Sequence, residues 1–284
     1  MNKIIVGLGE ILWDIFPDQK VLGGAPANFA YHVSQLGHDS YAVSSIGNDP
    51  LGREIMNTLR EKKLNYQLDI INYPTGTVNV TLDDNGVPQY EIVENVAWDN
   101  IPFNKIRETL AKNCAAVCFG TLAQRSKTSR NTIRKFLKAV PDACIKIFDI
   151  NLRQHFYNKS IIEESLEIAN ILKLNDDEVK IVANLYKMNE MNEQEICIKL
   201  KEQFSLDIVI LTKGTNGSFV FSEEPTSYLP TPKVNVVDTV GAGDSFTAAF
   251  ISAYVNGKSI KEAHESAVVV SADVCGRKGG MVGA

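Results

Sequence analysis

The sequence predicts an α/β fold in which a mostly parallel sheet lies between two layers of helices. Short apolar runs of strand length alternate with amphipathic helical patterns along most of the 284 residues. Several of these runs end in glycines and polar residues, as strands do where they turn into helices. A content of 44% hydrophobic and 22% charged residues is ordinary for a globular protein. We therefore expect a single domain over residues 1–284.

The alternation assigns the elements in order. In the second predicted helix, Leu51, Ile55 and Leu59 recur at helical spacing on one face. Strands separated by helices pair in parallel, and ligands bind beyond the carboxyl ends of such strands. The predicted strands are 3–8, 40–46, 115–119, 144–150, 171–174, 208–212 and 218–221. The predicted helices are 26–36, 51–63, 127–139, 176–187, 193–203, 243–256 and 260–275.

Residues 75–98 interrupt this alternation. The run 77–81 alternates with period two, and Asn85-Gly86 is a strong hairpin signal between strand-like segments. The hairpin is expected to project from the core. It is either a structural edge hairpin or a lid over a binding site, and the pattern alone leaves both open.

Composition and charge exclude several classes of function. The net charge is −5, and no basic tract indicates a nucleic-acid partner. No stretch approaches the ~20 apolar residues that span a bilayer, so we expect no membrane partner and a cytoplasmic location. The five cysteines lack C-x-x-C spacing, and the four histidines show no metal-ligand or triad spacing. The chain also lacks a complete dinucleotide fingerprint and a P-loop.

The segment Asp238-Thr-Val-Gly-Ala-Gly-Asp244 is the first candidate for chemistry. Gly241, Ala242 and Gly243 would let a ligand approach the backbone, and the helix that follows offers free N–H groups to an anion. Asp244, in the first turn of that helix, could accept a hydroxyl proton. Taken alone, Asp244 is better explained as a favourable first-turn acid beside a tight turn.

Two further segments place polar groups near predicted element ends. Gly23-Gly24-Ala-Pro-Ala-Asn28 reads as a turn into a helix, with the Asn28 amide able to bind a polar ligand. Asp149, Asn151 and Arg153 close a strand, and residues two apart share a face. Arg153 could bind a phosphate or a sugar hydroxyl. A buried ion pair explains the same pattern.

Two more segments are ambiguous. Asn175 followed by Glu178 fits a helix capping box, although acids grouped here could also hold a hydrated Mg²⁺. The segment Thr212-Lys213-Gly214-Thr-Asn-Gly217 turns between two strands, and a nucleotide contact there is plausible.

Together, in this order, the five segments resemble the ribokinase-like (phosphofructokinase-B type) carbohydrate kinases over essentially the whole chain. The resemblance implies the ribokinase-like three-layer fold, with a β lid formed by about 10–20 and 74–98. It implies ATP and Mg²⁺ as cofactors, a small-molecule sugar as substrate, and a homodimer that pairs through its lids.

The resemblance also implies a role for each matching residue. Asp244 would be the catalytic base and the amides of Gly241 to Asp244 the anion hole, with Arg153 near the transferring phosphate. The sugar, the nucleotide side and the metals would be held by separate groups. These are Asp14, Gly23, Gly24, Asn28 and Tyr90 for the sugar; Asn175, Glu178, Thr212, Lys213, Gly214 and Gly217, with Gly243, for the nucleotide; Glu178 for Mg²⁺, partly through water; and Asp238, Val240 and Gly279 for a K⁺-like monovalent cation.

Within that family the chain looks most like bacterial fructokinases. The stretch Gly9-Glu-Ile-Leu-Trp-Asp14-Ile-Phe-Pro and the stretch Phe119-Gly-Thr-Leu-Ala-Gln-Arg125 carry this likeness. 2-Keto-3-deoxygluconate kinases are similar, but they commonly place an arginine in the lid, where this chain has Pro88-Gln-Tyr-Glu-Ile92. A ribokinase, or a catalytically silent sugar-binding regulator on the same fold, is the further alternative.

Overall fold

The predicted α/β fold is confirmed by a computed structural model, which describes residues 3–82 and 88–282. A nine-stranded sheet has the order β13-β12-β11-β10-β9-β8-β1-β4-β5. Its strands run parallel from β5 to β11, whereas β12 and β13 are antiparallel to their neighbours. All the parallel strands therefore end at one edge.

Strands and helices alternate in the middle of the chain, whereas elsewhere two or three strands, or two helices, follow one another. The strands are β1 Ile4–Leu8, β2 Leu12–Ile15, β3 Lys20–Gly23, β4 Asp39–Gly47, β5 Asn65–Ile71, β6 Thr77–Leu82, β7 Pro88–Ile92, β8 Cys114–Phe119, β9 Ile145–Asp149, β10 Ile171–Asn175, β11 Ile208–Thr212, β12 Ser218–Phe221 and β13 Ser227–Leu229. The helices are α1 Ala25–Gln35, α2 Pro50–Glu61, α3 Lys105–Lys112, α4 Lys127–Ala139, α5 Lys159–Leu166, α6 Asp176–Tyr186, α7 Glu193–Gln203, α8 Ala242–Val255 and α9 Ile260–Cys275.

The two faces of the sheet bury separate cores. In β1, Ile5 packs into the core that contains Phe250 of α8, whereas its neighbour Val6 packs into the core that contains Phe136 of α4. This alternation follows from the period of two along a strand, and both faces are covered by helices. The result is the three-layer arrangement that the pattern predicts.

A second, four-stranded sheet stands apart from the large one, in the order β3-β2-β6-β7. It combines two segments that are distant in sequence, because β2 pairs in parallel with β6. These strands lie within or next to 10–20 and 74–98, the ranges expected to form the lid. Their action as a lid remains a prediction, and the expected turn at Asn85-Gly86 lies outside the described residues.

Several elements are absent from the sequence-based prediction. The strand β5 is only partly buried, so its mixed polar sequence gives no clear period. The helix α3 has eight residues and buries a charged side chain, Arg107, together with Leu110 and Ala111. The strands β2, β3 and β13 and the helix α5 were also not predicted. Within the described ranges, no helix combines the length and the apolar character needed to cross a membrane.

Candidate active site

Polar side chains gather at the edge where the parallel strands end. The strand β9 ends at Asp149 and β10 at Asn175, and Asn175 lies directly opposite Thr212 at the end of β11. Lys173 lies opposite Asp149 in the β9–β10 pair. The sequence motifs for the sugar side and the nucleotide side therefore converge on one edge of the sheet.

The start of α8 is the most open part of this edge. Gly241, the residue before the helix, has φ of 78°, and no side chain caps the first turn in the described structure. A Cβ atom at Gly241 would lie 2.7 Å from the Cα of Gly280, so this position has no room for a side chain. The Ala242 amide donates to the carbonyl oxygen of Thr239 at 3.2 Å, whereas the amides of Gly243 and Asp244 have no partner among the described residues and are available to an anion, which the positive end of the helix favours.

Asp244 lies partly buried in the first turn of α8. Its Oδ2 accepts a hydrogen bond of 2.8 Å from Nδ2 of Asn28 in α1. Burial, reinforced by the charge of Asp149, raises the pKa of Asp244 to about 6, although Asn28, Lys173 and Arg153 act in the opposite direction. The carboxylate is therefore ionised at neutral pH and close to the range in which a general base works best.

A buried lysine lies beneath the glycine turn. The Nζ atom of Lys173 is 3.1 Å from Oδ1 of Asp149, and a Cβ at Gly243 would come within 2.9 Å of the same Nζ. Burial alone would lower the pKa of Lys173, but the carboxylates of Asp149, Glu178 and Asp244 outweigh it and raise that pKa. The ammonium group thus stays charged next to the open amides of α8.

The sequence-based reasoning did not identify Lys173. The only sequence signal for it is a lysine in the middle of the apolar run Ile171-Leu-Lys-Leu. A lysine is seldom buried without a charged partner, so its position in a buried strand indicates that such a partner lies nearby. Thr247 of α8 completes this group, because its Oγ1 donates to Oδ2 of Asp149 at 3.0 Å.

The glycine turn between β3 and α1 carries residues that were predicted to bind the sugar. Gly24 has φ of 109°, and a Cβ there would lie 2.4 Å from the carbonyl oxygen of Glu10. A Cβ at Gly23 would lie 2.6 Å from Oδ2 of Asp14. Burial raises the pKa of Asp14 to about 6 and that of Glu10 to about 7. Glycines at these two positions therefore leave room for the Asp14 carboxylate and for the carbonyl oxygen of Glu10.

Arg153 lies in an exposed loop after β9. The flanking Asn151 and Gln154 have φ of 41° and 48°, which is unusual for residues with side chains. The positive charge of Arg153 lowers the pKa of Glu10, Asp14 and Asp244, which places it near all three. Nε2 of Gln154 donates to the carbonyl oxygen of Tyr90 at 2.6 Å, so this loop contacts the second sheet at β7. The Tyr90 side chain itself is exposed.

The start of α6 contrasts with that of α8, because its own side chains close it. Oδ1 of Asn175 accepts from the amides of Asp177 and Glu178 at 3.0 and 2.9 Å. Oε2 of Glu178 accepts from the Asn175 amide, and its Oε1 from the Leu152 amide. The capping box that the spacing favoured is present. The Glu178 carboxylate keeps spare lone pairs, which suit contact with Mg²⁺ through water better than direct ligation.

The predicted nucleotide loop joins β11 to β12. Gly217 has φ of 86°, and a Cβ there would lie 2.4 Å from the carbonyl oxygen of Leu229. Nζ of Lys213 forms an ion pair of 2.7 Å with Oε2 of Glu193 in α7. Thr212 ends β11, and Gly214 follows the lysine in the turn that leads to β12.

The three predicted monovalent-cation residues lie together. Oδ1 of Asp238 accepts from the Val240 amide at 3.0 Å, and its Oδ2 accepts from the Gly279 amide at 2.9 Å. Among the described residues, no group of three or more acidic, histidine or cysteine side chains forms a metal cluster. A cation here would depend largely on carbonyl oxygens.

Comparison with known proteins agrees with this architecture. The chain is 29% identical over 267 residues to an uncharacterised sugar kinase from Pyrococcus horikoshii, covering 87% of this chain and 81% of that protein. The crystal structure of that kinase in complex with ATP superposes with a TM-score of 0.81 over 98% of this chain and 94% of the other.

Two fructokinases are also similar. The enzyme of Salmonella typhimurium is 25% identical over 295 residues, which cover 97% of this chain and 92% of the enzyme. The fructokinase of Xylella fastidiosa with bound ATP shares the fold, with a TM-score of 0.85 at 20% identity over 99% and 94% of the two chains.

A family model described as pfkB family carbohydrate kinase matches residues 16–283. This match covers nearly the whole chain and includes both glycine-rich turns and the strand ends described above. The protein therefore belongs to the pfkB family of carbohydrate kinases, which are phosphotransferases acting on a sugar hydroxyl.

Proposed function

We propose that this protein is an ATP-dependent fructokinase, which converts D-fructose and ATP to fructose 6-phosphate and ADP. The observation that carries the proposal is the pairing of an ionised, partly buried Asp244 with the open amides at the start of α8. A proton acceptor and an anion site on the same helical turn suit phosphoryl transfer to a hydroxyl.

In the proposed reaction the O–H bond of the primary hydroxyl breaks, and its proton passes to the carboxylate of Asp244. The hydroxyl oxygen forms a bond to the γ-phosphorus as the bond to the ADP oxygen breaks. The first amides of α8, together with the Lys173 ammonium beneath Gly243, stabilise the charge on the transferring group. Asn28 holds Asp244 in place through its hydrogen bond.

Mg²⁺, when bound, would neutralise phosphate charge, and Glu178 would hold it through water. Asp14, Gly24 and Asn28 would hold the sugar on one side, and Thr212, Lys213, Gly214 and Gly217 would line the nucleotide side. The grouping of Asp238, Val240 and Gly279 supports a monovalent-cation site such as one for K⁺. We also infer a homodimer in the cytoplasm.

Charge on the second sheet supports a neutral sugar over a sugar acid. Glu91 on β7 is exposed and accepts from Nδ2 of Asn79 at 3.1 Å. No arginine lies in Pro88–Ile92. This strand therefore offers a carboxylate substrate a like charge and no counter-charge, so fructose suits it better than 2-keto-3-deoxygluconate.

A substrate screen tests this proposal. We expect ATP-dependent phosphorylation of fructose with the highest kcat/KM in a panel that also contains ribose, glucose, 2-keto-3-deoxygluconate and nucleosides. A preference for another sugar would replace fructose but keep the kinase. Sugar binding without ATP consumption would instead indicate a catalytically silent regulator.

A further inference from the structure

A polar cavity of about 400 Å³ opens beside the candidate active site, between the segment that follows β7 and the starts of α4 and α5. Among the described residues that line it are Arg125, Arg130 and His155, but not Asp14, Asn28, Arg153 or Asp244. Its volume is near the lower end of the range for small-molecule sites. The cavity thus has no part in the reaction proposed above.

Two helices point their amino-terminal ends at this cavity. Ser126, which precedes α4, makes no side-chain cap bond to the described residues, so the first amides of this 13-residue helix lack that partner. Asn158, which precedes α5, accepts from the Ile161 amide at 2.9 Å. Both residues line the cavity, where the positive ends of the two helices add to the charge of its basic side chains.

Arg125 supplies an observation that is independent of the helix ends. Its guanidinium donates from Nε and Nη2 to the two carboxylate oxygens of Asp99, at 2.8 and 2.9 Å. It also stacks between the rings of Trp98 and Phe156, with distances of 4.0 and 4.5 Å to the ring centroids. The side chain is only 7% exposed, yet its Nη1 finds no hydrogen-bond partner in the described part of the chain.

A buried donor without an acceptor is unusual in a folded protein. Asp99 already neutralises the charge of Arg125, but Arg130 and His155 add further hydrogen-bond donors at the same cavity. Nε of Arg130 donates to the carbonyl oxygen of Gln124 at 2.8 Å, which leaves the rest of its guanidinium for a ligand. Guanidinium groups and helix starts are the usual partners of phosphate oxygens.

We propose that this cavity binds a phosphate monoester of sugar size, with its phosphoryl group at Arg125, Arg130 and His155. The exposed Glu94 and Asn95 at the cavity would then accept hydrogen bonds from sugar hydroxyls. An uncharged sugar offers no partner for the three basic side chains and is not retained. The inference rests on the cavity and does not depend on which sugar the enzyme phosphorylates.

Direct contacts also connect this cavity to the candidate active site. Nη2 of Arg125 donates to the carbonyl oxygen of Val93, just after β7, at 2.6 Å. The Phe156 ring stacks on the same guanidinium, and the Phe156 amide donates to the carbonyl oxygen of Arg153 at 3.0 Å. Arg125 therefore links the cavity to the second sheet and to the loop that carries Arg153.

Titration calorimetry on the full chain tests the site with fructose 6-phosphate, inorganic phosphate and fructose as probes. Arg130→Gln and His155→Gln should each weaken one binding event of fructose 6-phosphate about tenfold or more, because each removes charge-assisted hydrogen bonds. Lys138→Gln is the matched control, since it removes an exposed positive charge from the far end of α4. Any binding event at the candidate active site should be unaffected by all three substitutions.

The three probes separate the sources of the phosphate group. Tighter binding of fructose 6-phosphate than of inorganic phosphate supports a sugar phosphate, and equal binding of the two supports free phosphate as the occupant. The proposal is wrong if Arg130→Gln and His155→Gln leave every binding event unchanged, or if Lys138→Gln weakens binding as much as they do. It is also wrong if fructose competes for the Arg130-dependent event.

Discussion

The two helix starts at the carboxyl edge of the sheet differ in what satisfies their amides. At α6, Asn175 and Glu178 occupy the first amides with their own side chains. At α8, the position before the helix is Gly241, and the only acid in the first turn, Asp244, turns toward Asn28 instead. One start is closed and stabilises the fold, whereas the other is left open for a ligand.

This difference has an energetic consequence. Glycine before a helix contributes less to stability than a capping side chain does, by about a few tenths of a kcal/mol, and α8 forgoes that difference. Asp244 is also partly buried and its pKa is raised, so its ionised form is less favourable in the folded protein than in the unfolded chain. Both features are expected of a site that keeps its polar groups for a substrate rather than for the fold. Substitutions at the two starts should therefore separate activity from stability.

The largest effect is expected for Asp244→Asn. Loss of the proton acceptor should lower kcat by about 10²- to 10⁴-fold while sugar binding persists. The neutral amide should also raise the Tm at pH 8, because the cost of the buried charge is removed. Asp177→Asn, in the first turn of α6, is the matched control and should keep near-normal kcat. A near-normal rate in Asp244→Asn would refute its assignment as the base.

The second largest loss of kcat is expected for Gly241→Ala. The new Cβ would meet the Gly280 backbone at 2.7 Å, and the resulting shift of the α8 amides should lower kcat by about 10²-fold. Gly257→Ala is the control, because Gly257 has φ of 81°, close to the 78° of Gly241, but has no atom within 4 Å of the added Cβ. Equal losses of kcat in the two variants would show that backbone strain, and not the close approach, is responsible.

The pH dependence should show the raised pKa of Asp244. Because the base must be ionised, kcat/KM should fall as pH falls through about 6, approaching tenfold per unit below that value. Carbon-13 NMR of aspartate-labelled enzyme should show a carboxyl that titrates near pH 6 and is missing in Asp244→Asn. Asp14 is expected to titrate in the same range and should remain in that variant. Absence of any resonance that Asp244→Asn removes near pH 6 would contradict this assignment.

The smallest effect is expected at the closed start. Asn175→Ala removes the cap of α6 and should lower the free energy of unfolding by about 1 kcal/mol, or the Tm by roughly 2–4 °C. Its kcat should change far less than that of Gly241→Ala. A large loss of kcat at unchanged Tm would mean that Asn175 serves the nucleotide rather than the helix.

Regular elements were predictable because their patterns are local. The predicted strand 208–212 and the helices 127–139, 193–203 and 260–275 coincide with β11, α4, α7 and α9. The helix α3 escaped prediction because it buries Arg107, whose partner Asp69 lies 38 residues earlier in β5. A charged residue inside a core is intelligible only when its distant partner is known.

In the candidate site, too, the features set by local sequence were predictable and those set by contacts between distant residues were not. The glycine turns and Asp244 were recognisable, because their local sequence imposes a backbone that few other residues tolerate. Their placement together is observed, but their roles stay predictions until tested. Lys173 was missed because its burial depends on Asp149 and Asp244, which come from other elements. The role of Asn28 as a support for Asp244 likewise depends on a contact across 216 residues.

The hydrogen bond between Asn28 and Asp244 also bears on when the enzyme becomes active. A ribosome releases the amino-terminal part of a chain first, at about 5–20 residues per second. The 216 residues between the two partners therefore take roughly 10–40 s to synthesise. Gly280, whose backbone lies against both Gly241 and Asn28, is made later still. A nascent chain therefore cannot join Asn28 to Asp244 until the segment that carries Asp244 and Gly280 has been made.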